Sequence, residues 1–244
     1  MRVKLTLEYE GGRFSGWQRV ATGESVQGAL MDAVEKLSGV RAEVVGAGRT
    51  DAGVHALAQI AHFDIENKLS LDRIRDGLNA YLRPAPIAVL QAEEAAPDFH
   101  ARFDAVRRVY LYRIVNRRAS LTLDCGKAWR VARPLDAEAM HAAAQRLLGT
   151  HDFTTFRDTH CQANSPMKTL DSCDVSRTGE EVKIRCEARS FLHRQVRSMV
   201  GTLVEVGLGK LDAEDVAAAL AAKDRARCGP VAPADGLYLA RVDY

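Results

Sequence analysis

Asp51 lies in the run Gly48-Arg49-Thr50-Asp51-Ala52-Gly53-Val54-His55-Ala56, the stretch of this chain best suited to chemistry. Two glycines bracket an acid, and an arginine stands two residues before it. Gly48 and Gly53 suit a tight loop, because glycine takes backbone conformations that side chains resist. In extended chain, residues two apart point the same way, so Arg49 and Asp51 are placed to share a face. A guanidinium nearby favours the ionised carboxylate, which can serve as nucleophile or base. The plainer reading is a surface-turn aspartate held by its own backbone and a salt bridge.

Two further runs carry candidate chemistry. In Arg107-Arg108-Val109-Tyr110-Leu111-Tyr112 an aromatic sits within a basic strand, where it could stack on a nucleobase while the arginines hold phosphates. A core tyrosine in a β-strand reads equally well. In Phe191-Leu192-His193-Arg194-Gln195-Val196-Arg197, Arg197 falls at the polar edge of an apolar helix, either solvated or drawn to a carboxylate such as Asp51. Arg102, Arg107, Arg108, Arg113, Arg117 and Arg118 form one basic group and Arg189, His193, Arg194 and Arg197 another, while the net charge is only +2. Separated patches of this kind suit a polyanion groove.

Other chemistries fail on spacing. A dinucleotide loop needs a third glycine where this chain has Asp51, and a carboxylate there repels phosphate. A P-loop needs lysine after its last glycine, but Val54 follows Gly53. There is no G-x-S-x-G elbow and no zinc-protease histidine pair. The five cysteines form no C-x-x-C pair and read as reduced thiols. His55 and His62 read as hydrogen-bonded structural residues. No apolar run approaches a membrane span and no signal peptide is evident, so a cytoplasmic protein is expected.

The elements that must position these residues follow from periodicity. Val3, Leu5, Leu7 and Tyr9 alternate as a strand, and Ser25 caps a helix that Gly39 stops. Residues 41–45 lead into the Asp51 loop as a strand, and residues 56–64 lead out as another. Ser70 caps a second helix, and a strand follows at residues 87–91. Residues 106–115 form a strand with Tyr110 and Tyr112 on one face. Asp136 begins a helix through Leu148, and residues 167–176 and 182–188 form a hairpin around Thr178-Gly179. An apolar helix carries Val196 to Val204, Asp212 caps an alanine-rich helix, and residues 237–242 close the chain as a strand. Residues 155–166, polar and poor in anchors, read as a mobile loop. The mixture is α+β, divided into residues 1–105, with the aspartate loop, and residues 106–244, with Tyr110 and the Arg197 helix.

These motifs together resemble the tRNA pseudouridine synthase A (TruA) family along essentially the whole chain. The matching stretches are Tyr9-Glu10-Gly11 with Gly16-Trp17-Gln18, the Gly48–Ala56 loop, Asp98–Phe103, Tyr110-Leu111-Tyr112, Asp152–Phe156, Phe191–Gly201 and Gly236–Leu239. Glu10 stands where many members have Asp, and Gln195 where many have Met. The resemblance implies two similar α+β halves, with mixed, mostly antiparallel sheets joined into one extended sheet, helices on one side and a basic cleft between. It implies Asp51 as the catalytic aspartate, Tyr110 as the aromatic against the target base, Arg197 as the cation paired with the aspartate, Arg49 as an RNA contact assisting base flipping, and Leu237 among the substrate-binding residues. The implied reaction converts uridine to pseudouridine at positions 38, 39 and 40 in the anticodon arm of tRNA, in a homodimer, with no cofactor or metal. A non-catalytic RNA-binding protein is the competing expectation; it leaves an acid inside an anion-binding surface unexplained.

Overall fold

The structure, a computed structural model, describes residues 1–66 and 69–244. The chain divides into two compact units, residues 1–106 with 238–244, and residues 107–237.

The first unit is a sheet with strand order β4-β1-β3-β10, formed by β1 (Arg2–Tyr9), β3 (His55–Asp64), β4 (Ile87–Ala95) and β10 (Leu237–Asp243), with the short β2 (Val45–Gly46) paired to β3. β1 lies antiparallel to both β3 and β4, whereas β10 runs parallel to β3. Val3, Leu5 and Leu7 are fully buried and Glu8 is exposed, so alternation gives β1 one core face. Helix α1 (Val26–Ser38) begins where the Ser25 hydroxyl accepts the Gly28 N–H, and ends at Gly39, whose φ of 75° is left-handed. Helix α2 (Leu71–Leu82) is capped by Ser70 and packs on α1 and β4, burying Ile74 and Leu78.

Two expectations change here. Residues 41–44 are irregular, not a strand: the Val44 carbonyl accepts from Gln27 Nε2, and Arg41 pairs with Asp32 and Glu35 of α1, so this segment is tied to the helix. Residues 238–244, placed by chain order in the second half, group with the first unit. The parallel pairing of Tyr238 with His55 and their stacked rings, 4.6 Å apart, account for this.

The second unit has strand order β5-β9-β8-β7, all antiparallel: β5 (Arg107–Asn116), β9 (Glu181–Ala188), β8 (Met167–Thr178) and β7 (Gly149–Asp152). The short β6 (Trp129–Val131), not foreseen from the sequence, runs parallel to β5 on its other edge. The β8–β9 hairpin turns at Gly179, where φ is 59°. Helix α3 (Ala137–Ala144), capped by Asp136, gives way to a 3₁₀ turn at Gln145–Leu147 rather than running on to Leu148. Gln145 Nε2 instead donates to the carbonyls of His141 and Cys173. Helix α4 (Gln195–Gly207) is buried nearly all round, and α5 (Ala213–Ala222) starts in a capping box of Asp212 and Asp215. The five cysteines are free thiols.

Candidate active site

The Asp51 loop leaves β2 and returns into β3, and the segment after β1 grips it at several points. The Trp17 N–H donates to the Thr50 carbonyl at 3.0 Å, and the Ala47 N–H donates to Ile60 O at 2.7 Å. Gln59 Nε2 donates to the Gly48 carbonyl at 2.8 Å. Gly53, with φ of 81°, makes the return turn that lets the Val54 N–H reach Asp51 O at 3.1 Å. Gly16 has φ of 105°, and a Cβ there would lie 2.7 Å from Thr50 O, so only glycine lets these segments approach.

The loop is not a strand, yet its side chains alternate. Thr50 is buried, Arg49 on one side is exposed, and Asp51 on the other is half-buried. The arrangement presents a carboxylate from rigid backbone, as nucleophilic or general-base chemistry requires.

His55 and His62 are both hydrogen-bonded to backbone, as expected. His55 is buried, and its Nδ1 accepts the Gly11 N–H at 3.0 Å. His62 Nδ1 accepts the Ala101 N–H at 3.2 Å, and burial, aided by the charges of Arg2 and His100, holds its imidazole below the ordinary histidine value. Among the described residues, no three His, Cys, Asp or Glu side chains are grouped as metal ligands.

In the second unit, Tyr110 is buried on β5 with its ring edge-on to Phe191, centroids 5.2 Å apart. Two residues along, the fully buried Tyr112 donates its hydroxyl to Pro233 O at 2.8 Å. Arg197 Nε donates to Ala232 O at 2.8 Å, while the Ala232 N–H donates back to Arg197 O at 3.1 Å. Leu237, also buried, follows a 3₁₀ turn in which Gly236 lies against the Tyr112 ring. Residues 232–237 thus fasten both β5 and the start of α4, drawing Tyr110, Arg197 and Leu237 onto neighbouring segments of this unit.

A cluster the sequence did not announce lies before α4. Arg194 has φ of 58°, unusual for a residue with a side chain, and its guanidinium sits 3.0 Å from Asp158, with His193 Nδ1 at 3.5 Å. Burial pushes the Asp158 carboxyl up; the His160 N–H and the charges of Arg194 and His193 outweigh it and leave it below the usual range. The segment expected to be a mobile loop is anchored: Thr155 and Phe156 are fully buried, the Asp158 N–H donates to His193 O, and Arg157 Nη2 donates to the carbonyls of Cys161 and Ala163.

The basic strand also differs from expectation. By alternation, Arg107 and Arg113 face away from Tyr110 and Tyr112. Arg107 pairs with Glu187 at 3.2 Å, Arg113 with Glu181 at 2.7 Å and Asp124 at 3.1 Å, and Arg117 with Glu180 at 3.2 Å. Arg108 is buried and donates to Arg189 O at 2.6 Å. Cross-strand acids, distant in sequence, therefore neutralise much of the arginine stripe that reads as a phosphate-binding row.

Comparison with known proteins identifies the lineage. A family model described as tRNA pseudouridine synthase matches residues 6–104 and 143–244. The chain belongs to the tRNA pseudouridine synthase family. It is similar to a protein named tRNA pseudouridine synthase A from Maricaulis maris strain MCS10, 64% identical over 243 residues spanning 100% of this chain and 98% of that protein. Its counterpart of the same name from Nitrobacter winogradskyi is 65% identical over 243 residues, spanning 100% of this chain and 95% of the relative. Membership in this family makes the chain an isomerase acting on tRNA, and the reading as a non-catalytic RNA-binding module is set aside. No helix among the described residues is long and apolar enough to cross a membrane.

Proposed function

We propose that this member of the tRNA pseudouridine synthase family converts uridine to pseudouridine at positions 38, 39 and 40 in the anticodon arm of tRNA, with Asp51 as its catalytic carboxylate. The observation that supports this reading most is the Asp51 loop itself: a half-buried carboxylate on a backbone fixed from both sides, with the exposed Arg49 two residues away. In the proposed roles, Tyr110 lies against the target base, Arg197 pairs with the aspartate, Arg49 contacts RNA as the nucleotide leaves the stack, and Leu237 contributes to substrate binding.

The reaction asks little beyond one carboxylate and a shaped pocket. The N1–C1′ bond of uridine breaks, the uracil turns, and a C5–C1′ bond forms; C5 gives up a proton and N1 gains one. Nothing is oxidised and no group leaves the molecule. An ionised Asp51 acts as nucleophile or as base. Extruding the target base costs a few kcal/mol, which phosphate contacts and aromatic stacking offset.

The test is pseudouridine mapping on unmodified transcripts carrying uridine at 38, 39 or 40. Product confined to these positions is expected; product elsewhere in the tRNA, with none in the anticodon arm, overturns the assignment. We further propose a cytoplasmic homodimer. Light scattering should give about twice the chain mass, the commonest closed assembly, and a monomer with full activity would count against it.

A further inference from the structure

The catalytic reading leaves a buried polar network behind the Asp51 loop without a task. The Tyr9 hydroxyl lies 2.8 Å from Thr50 Oγ1, and Gln59 Nε2 approaches the same hydroxyl at 3.5 Å while donating to the Gly48 carbonyl at 2.8 Å. Tyr9 is 4%, Thr50 6% and Gln59 0% exposed. The network reaches the loop at Gly48, three residues before Asp51, through Gln59, and at the adjacent Thr50 through Tyr9.

We infer that Tyr9, acting with Gln59 through Thr50, is a positioning residue for Asp51. The inference rests on the catalytic reading of Asp51 above. Thr50 is held twice: its carbonyl by the Trp17 N–H at 3.0 Å and its side chain by Tyr9. With the Asp51 carbonyl held by the Val54 N–H, the backbone on both sides of the Asp51 side chain is fixed.

Strand register supports the assignment. Leu7 pairs with Gln59, but Tyr9 pairs with Ala56, so β3 carries one residue more than β1 between these pairs. A bulge of this kind re-aims a side chain, and such bulges gather beside active sites. Gln59 adds a second argument. Its Oε1 is buried with no hydrogen-bond partner among the described residues, a desolvation cost that an apolar residue at this site would avoid. An amide kept at that cost, with its nitrogen on the loop carbonyl, fits a task in holding the loop rather than in general stability. Burial pushes the Tyr9 phenol up to about 12, against the smaller opposing effects of Thr50 and Gln59, so the hydroxyl stays neutral and keeps its place in the network.

The experiment compares Tyr9→Phe, Thr50→Val and Thr50→Ser with the parent enzyme in single-turnover pseudouridine formation at saturating enzyme, alongside tRNA affinity and melting temperature. Misplacement of a reacting group by about 1 Å costs on the order of 100-fold. Tyr9→Phe and Thr50→Val should therefore lose roughly 10- to 100-fold in rate with tRNA affinity unchanged, Thr50→Ser should restore most of the rate, and the double variant Tyr9→Phe/Thr50→Val should lose little more than either alone. A Tyr9→Phe rate within about twofold of the parent, or losses that multiply in the double variant, overturns the positioning role. Asp51→Asn is run beside these. Its inactivity together with a fully active Tyr9→Phe removes the positioning role alone, whereas an active Asp51→Asn removes the catalytic reading on which it rests.

Discussion

Gly201 offers a test in which two simple arguments predict opposite signs. It lies within α4, one turn beyond Arg197, and on helix propensity alone Gly201→Ala should stabilise by about 1 kcal/mol. The packing says otherwise. A Cβ at Gly201 would overlap the Pro230 carbonyl oxygen and lie 3.2 Å from the Ala232 N. Both are backbone atoms and cannot swing aside, so α4 and residues 230–232 must part. Overpacking of this kind costs about 1–3 kcal/mol. The separation also stretches the two bonds between Arg197 and Ala232, at 2.8 and 3.1 Å. One has a charged donor, worth about 1.5–3 kcal/mol, and the other is an ordinary backbone bond worth about 1 kcal/mol. After the propensity gain, a net loss of about 2.5–6 kcal/mol remains, which at about 2–4 °C per kcal/mol lowers the melting temperature by roughly 5–25 °C. Scanning calorimetry of Gly201→Ala against the parent measures it. An unchanged or raised melting temperature would refute the claim that this close approach fixes the Arg197 backbone.

Protonation of His62 should destabilise the first unit. Its folded-state pKa is lowered, so its contribution is fully present above the unfolded value of about 6.5 and is lost as pH falls through the folded value. His62→Asn, which keeps an acceptor for the Ala101 N–H and cannot titrate, should flatten the fall in stability as pH drops below about 6.5; an unaltered profile in urea melts at several pH values would contradict this. Arg107→Gln should change the slope of log tRNA affinity against log salt by much less than the roughly 0.7–0.9 expected for a lost phosphate contact, since Glu187 already pairs with Arg107. A full unit of change in a filter-binding series would place that guanidinium on RNA.

Local signals were legible wherever a residue's own neighbours decide its conformation. Ser25, Ser70, Asp136 and Asp212 cap the helices they mark, Gly39 ends α1, and Thr178-Gly179 turns the hairpin. Reading failed where a distant partner decides. The stretch at 41–44 has strand-like composition, but a glutamine and two acids of α1 claim it. The arginines of β5 read as a phosphate row because their neutralising glutamates, Glu181 and Glu187, lie 68 and 80 residues away on β9. Thr155 and Phe156 read as loop because nothing nearby reveals that they are buried beneath α5 and its following turn, with Thr155 Oγ1 on the Ala219 carbonyl. The candidate acid itself was conspicuous because a carboxylate between glycines is odd. Its scaffold was not: Tyr9 and Gln59 look like ordinary strand residues until the bulge between them is seen.

The central claim is that the Asp51 carboxylate performs the chemistry. Asp51→Asn keeps the shape and removes the charge, and Asp51 is half-buried on a loop held by backbone bonds that the substitution leaves in place. Single-turnover pseudouridine formation, with the variant saturating over an unmodified tRNA transcript, measures this most directly. No product is expected, with tRNA affinity equal to the parent's or tighter because an acid has left an anion-binding surface. Product forming at a substantial fraction of the parent rate would contradict the account and return the Gly48–Ala56 loop to a structural role.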